Sequence, residues 1–316
     1  MQERELLIGN AFRWRPGEGP DITALERMHA AFPRPAKPMG EAWFMSKTRH
    51  MFTNLMGDID AVPVNEFEKA LEEIAGGTSS FGPYDEWREW FHYLLPRLVL
   101  RANESDIWAL NELLVTGFMT QYPSGVADAP YPAFREDVLN TLGRTIMDRN
   151  CWRDGNVVLG TLLRRHNRWP SGLWGWNDAS GDLSAALFFN IKYLPEESLR
   201  PWMTSVLSIA CPYWRAQLIA WFVGAHDVLT GQVRQPPDFT GDPDIDWEWS
   251  HCLKLENLVP GESSFFPEPN CRAVLEVLAA TMTEDVFLQW LLSVAEKPDL
   301  EAELFDLPDR FSTLYL

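Results

Sequence analysis

The stretch Asp85-Glu-Trp-Arg-Glu-Trp-Phe-His-Tyr-Leu-Leu-Pro-Arg-Leu98 decides the fold class. Trp87, Trp90, Phe91, Leu94, Leu95 and Leu98 recur at three- and four-residue intervals, which gathers them into one stripe along a helix. Pro96 removes a hydrogen bond to the carbonyl of His92 and crowds that turn, so a kink or two short helices is expected there.

Working outward, the same spacing returns along most of the chain. Ser105 can cap a helix that carries Ile107, Leu110, Leu114 and Phe118 on one face and stops at Gln121-Tyr-Pro-Ser-Gly125. Further amphipathic helices are expected at 21–32, 41–56, 64–75, 133–149, 156–167, 182–194, 196–210, 213–229, 270–281 and 284–295. No long period-two alternation stands out. Asp154-Gly155 suits a hairpin, but between helical segments it reads equally well as a helix-helix turn.

The expected fold is therefore all-α, either stacked helical hairpins of the HEAT or armadillo kind or an irregular multi-helix bundle. Helix pairs starting near Asp85, Ala133 and Ser180 favour the stacked form, and Tyr93-Leu-Leu-Pro96 and Tyr193-Leu-Pro195 are its only similar strings. Residues 1–38 read as an irregular N-terminal arm with one short helix, ending in the extended Pro33–Pro38 connector. Residues 39–316 read as a single helical domain.

Composition narrows the chemistry. The 316 residues are 46% hydrophobic, enough for a large core, and carry a formal charge of −18. A phosphate backbone or an anionic membrane is recognised by clustered Lys and Arg, so neither is an expected partner, whereas a basic protein is. Cys151, Cys211, Cys252 and Cys271 are too few and too irregularly spaced for a disulfide scaffold. The first ten residues lack the apolar core of a signal peptide, no segment runs apolar for the ~20 residues of a membrane span, and the expected location is cytoplasmic.

Two features stand out locally. Fifteen residues are tryptophan, and Trp174, Trp176, Trp247 and Trp249 sit among polar or acidic neighbours, where an exposed ring would anchor an interface or stack on a sugar. The stretch 238–268 holds eight acids against Lys254, a net of −7, with Asp242, Asp244, Asp246 and Glu248 at every second position. That spacing resembles alternating calcium ligands, but an EF-hand requires Gly at its sixth place and Glu at its twelfth, and Trp247 and Leu253 stand there. A solvated loop facing a partner is the expectation, with Asp242, Asp244, Asp246, Trp247, Glu248, Trp249, Trp174 and Trp176 as binding residues and no metal or cofactor.

The converse feature is a basic island, Arg144, Arg149, Arg153, Arg164, Arg165 and Arg168, whose net of +4 suits pairing with acidic helices or holding an anion. The six histidines form no zinc spacing, and no nucleophile elbow or phosphate loop is present. The sequence thus points to a cytosolic helical-repeat protein that captures a basic partner on an acidic, Trp-bearing surface, as an inhibitor or immunity protein does. The alternatives are a carbohydrate-active enzyme on an α/α barrel with a carboxylate pair, and a scaffold whose tryptophans are all buried.

Overall fold

The computed structural model describes residues 12–39, 51–80, 84–101, 110–126, 129–163, 176–239 and 241–316. These fold as a mostly helical protein with 3% strand. The helices are α1 (Ile22–Ala31), α2 (Val64–Ser80), α3 (Tyr84–Leu98), α4 (Leu110–Gln121), α5 (Phe134–Asn140), α6 (Gly181–Tyr193) and α7 (Glu196–Leu207). They continue with α8 (Pro212–Gly224), α9 (His226–Leu229), α10 (Leu255–Leu258), α11 (Glu268–Thr281), α12 (Glu284–Ala295), α13 (Pro298–Glu303) and α14 (Leu307–Tyr315).

Every residue of α4 and α6 is buried, and these two helices pack together at the centre. Amphipathic helices cover them: α2 lies on α4, α7 on α11, and α8 is flanked by α12 and α14. One aromatic-rich core results, in which Trp14, Trp87, Trp90, Trp202, Trp214 and Trp221 are fully enclosed. Of the eleven described tryptophans ten are buried, and Trp249 is half-buried against the same core.

Several expectations change. The stripe from Trp87 to Leu98 forms one helix that runs through Pro96 in its last turn, and a 3-10 turn, Val99–Arg101, follows. The expected helix at 133–149 breaks at Thr141 into α5 and the 3-10 helix Leu142–Met147. The start of the helix expected at 156–167 is instead a β-hairpin. β1 (Trp152–Arg153) pairs antiparallel with β2 (Asn156–Val157) through Asp154 and Gly155, whose φ of 51° and 74° are those of the two-residue primed turn that Asp-Gly favours. The described part of the N-terminal arm is irregular around its one short helix, α1, and it adds Phe12 and Trp14 to the core. Trp14 stacks edge-on against Trp202 at 5.2 Å and donates through Nε1 to the Gly143 carbonyl. Ser105, Ile107, most of the segment 41–56 and residues 164–175 lie outside the described residues. No single described helix is long and apolar enough to cross a membrane; α11 and α12 reach that length only as a pair bent by 87°.

Candidate interaction face

The acidic stretch singled out in the sequence is an extended strap, and its alternation is that of a strand. Pro243, Ile245 and Trp247 turn inward and are buried, while Asp242, Asp244 and Glu248 point to solvent and Asp246 is half-buried. Calcium-like spacing and strand spacing coincide at period two, and here apolar burial selects the strand.

The main chain of the strap is fastened at several points. Ala179 donates to the Asp244 carbonyl at 2.9 Å and accepts from the Asp246 N–H at 3.0 Å, a parallel bridge centred on Ile245. The Asp178 carboxylate accepts from the Asp244 N–H at 2.9 Å. Glu112, buried in the first turn of α4, accepts from the Glu248 N–H at 3.0 Å. The Trp247 indole donates to Thr116 Oγ1 at 3.0 Å, one turn further along α4. Such close approach needs Gly224: a Cβ there would lie 2.8 Å from the Pro243 carbonyl. Asp244 and Glu248 are thus carried on an anchored backbone rather than on a free loop.

Trp247 is 3% exposed and serves as the inward anchor of this strap, not as a surface ring. Trp176 is also buried, tilted against Tyr213 at 5.2 Å, with its N–H donating to Glu303 Oε2 at 3.0 Å. Trp249 keeps part of its surface beside His251. Trp174 lies outside the described residues. At the Glu248 end, burial followed by the charges of Glu248 and Glu73 pushes the Glu72 carboxyl above the usual carboxylate range, so α2 continues the acidic face.

At its other end the strap borders a cleft of about 450 Å³ between the C-terminal end of α8 and α14. Asp227, Asp242, Asp306 and Asp309 line it, with Val223 and Leu314 supplying apolar wall. Arg310 and His226 are its lining bases, and the Arg310 guanidinium donates to the Asp242 carbonyl and reaches Asp242 Oδ2 at 3.5 Å. Among the described residues no three His, Cys, Asp or Glu side chains converge closely enough to hold a metal ion. Asp227, Asp306 and Asp309 carried no signal in the sequence, because the cleft is assembled from three segments, 223–227, 241–242 and 306–314, that meet only in the fold.

The basic island is divided. Arg164, Arg165 and Arg168 are outside the described residues; Arg144 lies over the Phe12 ring at 4.8 Å, and Arg149 and Arg153 are exposed. Trp14 packs on Trp214 in the first turn of α8, which sets Arg13 and Arg15 near that end of the helix and the acidic cleft near the other, about 20 Å away for thirteen residues.

No protein-family model, no curated protein and no solved structure matches this chain.

Proposed function

We propose that this protein is a binding module that captures a basic protein partner on the acidic face running from Glu72 and Glu248 along the strap to Asp242 and the cleft beside α14. One observation carries the reading: Asp242, Asp244 and Glu248 are displayed on a backbone tied to Ala179, Asp178 and Glu112, and Asp242 is 95% exposed at its side chain. Charges held this way steer encounter with a cationic surface and lose little entropy on binding. The form proposed for the fold is a stack of helical hairpins with the buried α4 and α6 at its centre, which would suit this role because stacked hairpins offer a long continuous surface. An inhibitor or immunity protein acting in the cytoplasm on a basic target is the concrete form proposed, with neither nucleic acid nor membrane as the partner.

The reading differs from the sequence expectation in what anchors the complex. Trp247 and Trp176 belong to the core, so carboxylates rather than indoles carry the contact, with Trp249 at the rim. The same burial removes Trp176 and Trp247 from any sugar-stacking surface, and the alternative of a carbohydrate-active enzyme gains no support from the described residues. The test is capture from the native lysate at low salt, elution at high salt, and comparison with the Asp242→Ser, Asp244→Ser, Glu248→Ser triple variant. A stoichiometric basic protein retained by the wild type and lost by the variant supports the reading. Equal retention by both removes this face from it.

A further inference from the structure

We infer that Phe305, in the turn between α13 and α14, is the apolar anchor of the acidic face, and that the basic partner receives its ring in an apolar pocket rimmed by Lys or Arg. The inference rests on the proposed capture of a basic protein and names the surface that this partner must bring.

The backbone singles the position out. Phe305 has a φ of 46°, in the left-handed region where a side chain is strained and glycine is not. Two other non-glycine residues share a positive φ among the described residues, and the fold accounts for both. Asp154 belongs to the primed turn of the hairpin; Phe52, at 59°, is buried and meets Trp90 at 5.5 Å and Trp87 at 6.2 Å. Phe305 is 78% exposed and joins no part of the described core, so burial offsets none of its strain. A bulky ring held this way weakens the fold, and strain that packing does not explain points to what the residue meets outside the chain.

The turn holds the ring out. Leu304 and Leu307 are buried on either side of it, the Leu307 N–H donates to the Leu304 carbonyl at 2.9 Å, and Glu303 accepts from the Trp176 N–H. A phenyl ring on a fixed backbone brings a large contact area for little lost entropy, which is what an interface anchor requires. Of the eight large apolar side chains exposed among the described residues, five fall between Leu288 and Leu316, so the ring stands in the stretch of chain richest in unburied apolar groups.

Charge selects the occupant. Asp306 follows the ring in the chain and lines the cleft in which the strap ends, and Glu301 and Asp309 are exposed nearby in the sequence. From Glu284 to Arg310 eight acids stand against Lys297 and Arg310. A second copy would set those acids against one another. A basic protein instead meets an apolar centre in an acidic surround, where rim charges steer the encounter and the desolvated centre slows release.

The test places a photo-crosslinker in the intact protein, Phe305→p-benzoylphenylalanine, irradiates it in the native lysate and identifies the adduct by mass spectrometry. An adduct with the basic protein that the strap retains is expected. Toward that protein Phe305→Gly should raise the dissociation rate about tenfold at low and high salt alike, and Phe305→Tyr should keep it within about threefold of wild type. In the free chain Phe305→Gly should raise the melting temperature by about 2 °C. An adduct between two copies of this chain, a dissociation rate unmoved by Phe305→Gly, or a melting temperature lowered by it overturns the anchor. A basic protein retained through Asp244 and Glu248 that forms no adduct at position 305 refutes this inference alone. An adduct with a basic protein whose association ignores the Asp242→Ser, Asp244→Ser, Glu248→Ser variant refutes the strap as the capturing face and leaves the anchor standing. Absence of a basic partner by either route refutes both.

Discussion

The Glu112 carboxylate accepts a hydrogen bond from the Glu248 N–H at 3.0 Å, across 136 residues of chain. It joins the first turn of the central helix α4 to the end of the acidic strap, and so couples the best-packed part of the molecule to its most charged surface.

Removing that acceptor should loosen the strap. Glu112→Ala leaves the Glu248 N–H without its partner at a cost of about 1–3 kcal/mol, whereas Glu112→Gln keeps an acceptor and should cost less. Urea denaturation gives the first difference, and faster hydrogen exchange at Glu248 in the Ala variant locates it. Equal stability of the two variants would mean that the bond does not hold the strap.

Gly181→Ala should be among the most damaging single substitutions. A Cβ there would stand 2.1 Å from both the Asp246 carbonyl and Glu112 Oε1, which forces strap and α4 apart. A melting temperature within a degree or two of the wild type would show that the junction yields freely.

Lys192 predicts a pH dependence. Its ammonium is buried at the end of α6, donates to the Phe265 carbonyl and faces the Phe265 ring at 3.8 Å; burial lowers its pKa from 10.5 to about 7. Glu262 opposes this shift, as does Cys271 on α11, to a lesser extent. Below the folded-state pKa both states are protonated and the full burial cost is present. Between about pH 7 and 10.5 the unfolded chain binds more protons than the folded one, so this group's contribution to stability rises with pH. Stability measured for the wild type relative to Lys192→Met should therefore increase from pH 6.5 to 9.5. A difference independent of pH would show that Lys192 stays charged in the fold.

All four cysteines are buried free thiols, and burial pushes those of Cys151 and Cys271 up to about 12. A thiol-reactive chromogenic disulfide should label none in the native protein and all four in denaturant. Rapid native labelling of any one would contradict the packing around it.

Most of the helical architecture is legible in the sequence, because the stripe Trp87–Leu98 and its counterparts obey the helical period. The hairpin at Asp154-Gly155 was open to two readings, since a two-residue turn carries too little sequence to choose between them. The strap was harder: Asp242-Pro-Asp-Ile-Asp-Trp-Glu248 alternates as a strand does, yet charged residues at every second place read as a solvated loop. Tryptophans beside acids read as surface anchors, but Trp247 and its acidic neighbours face opposite sides of one extended segment. The cleft was illegible, because Asp227, Asp242 and Asp309 meet only through the packing of α14 on α8, and no local pattern records that contact.

The most direct test of the central claim is the association rate of the basic protein captured from the native lysate, followed from low to high salt with the wild type and with the Asp242→Ser, Asp244→Ser, Glu248→Ser variant. The account predicts a rate about tenfold lower for the variant at low salt, with a flattened salt dependence and an unchanged melting temperature, because steering by fixed charge is lost while the fold remains. Identical rates and identical salt slopes for the two proteins would contradict it.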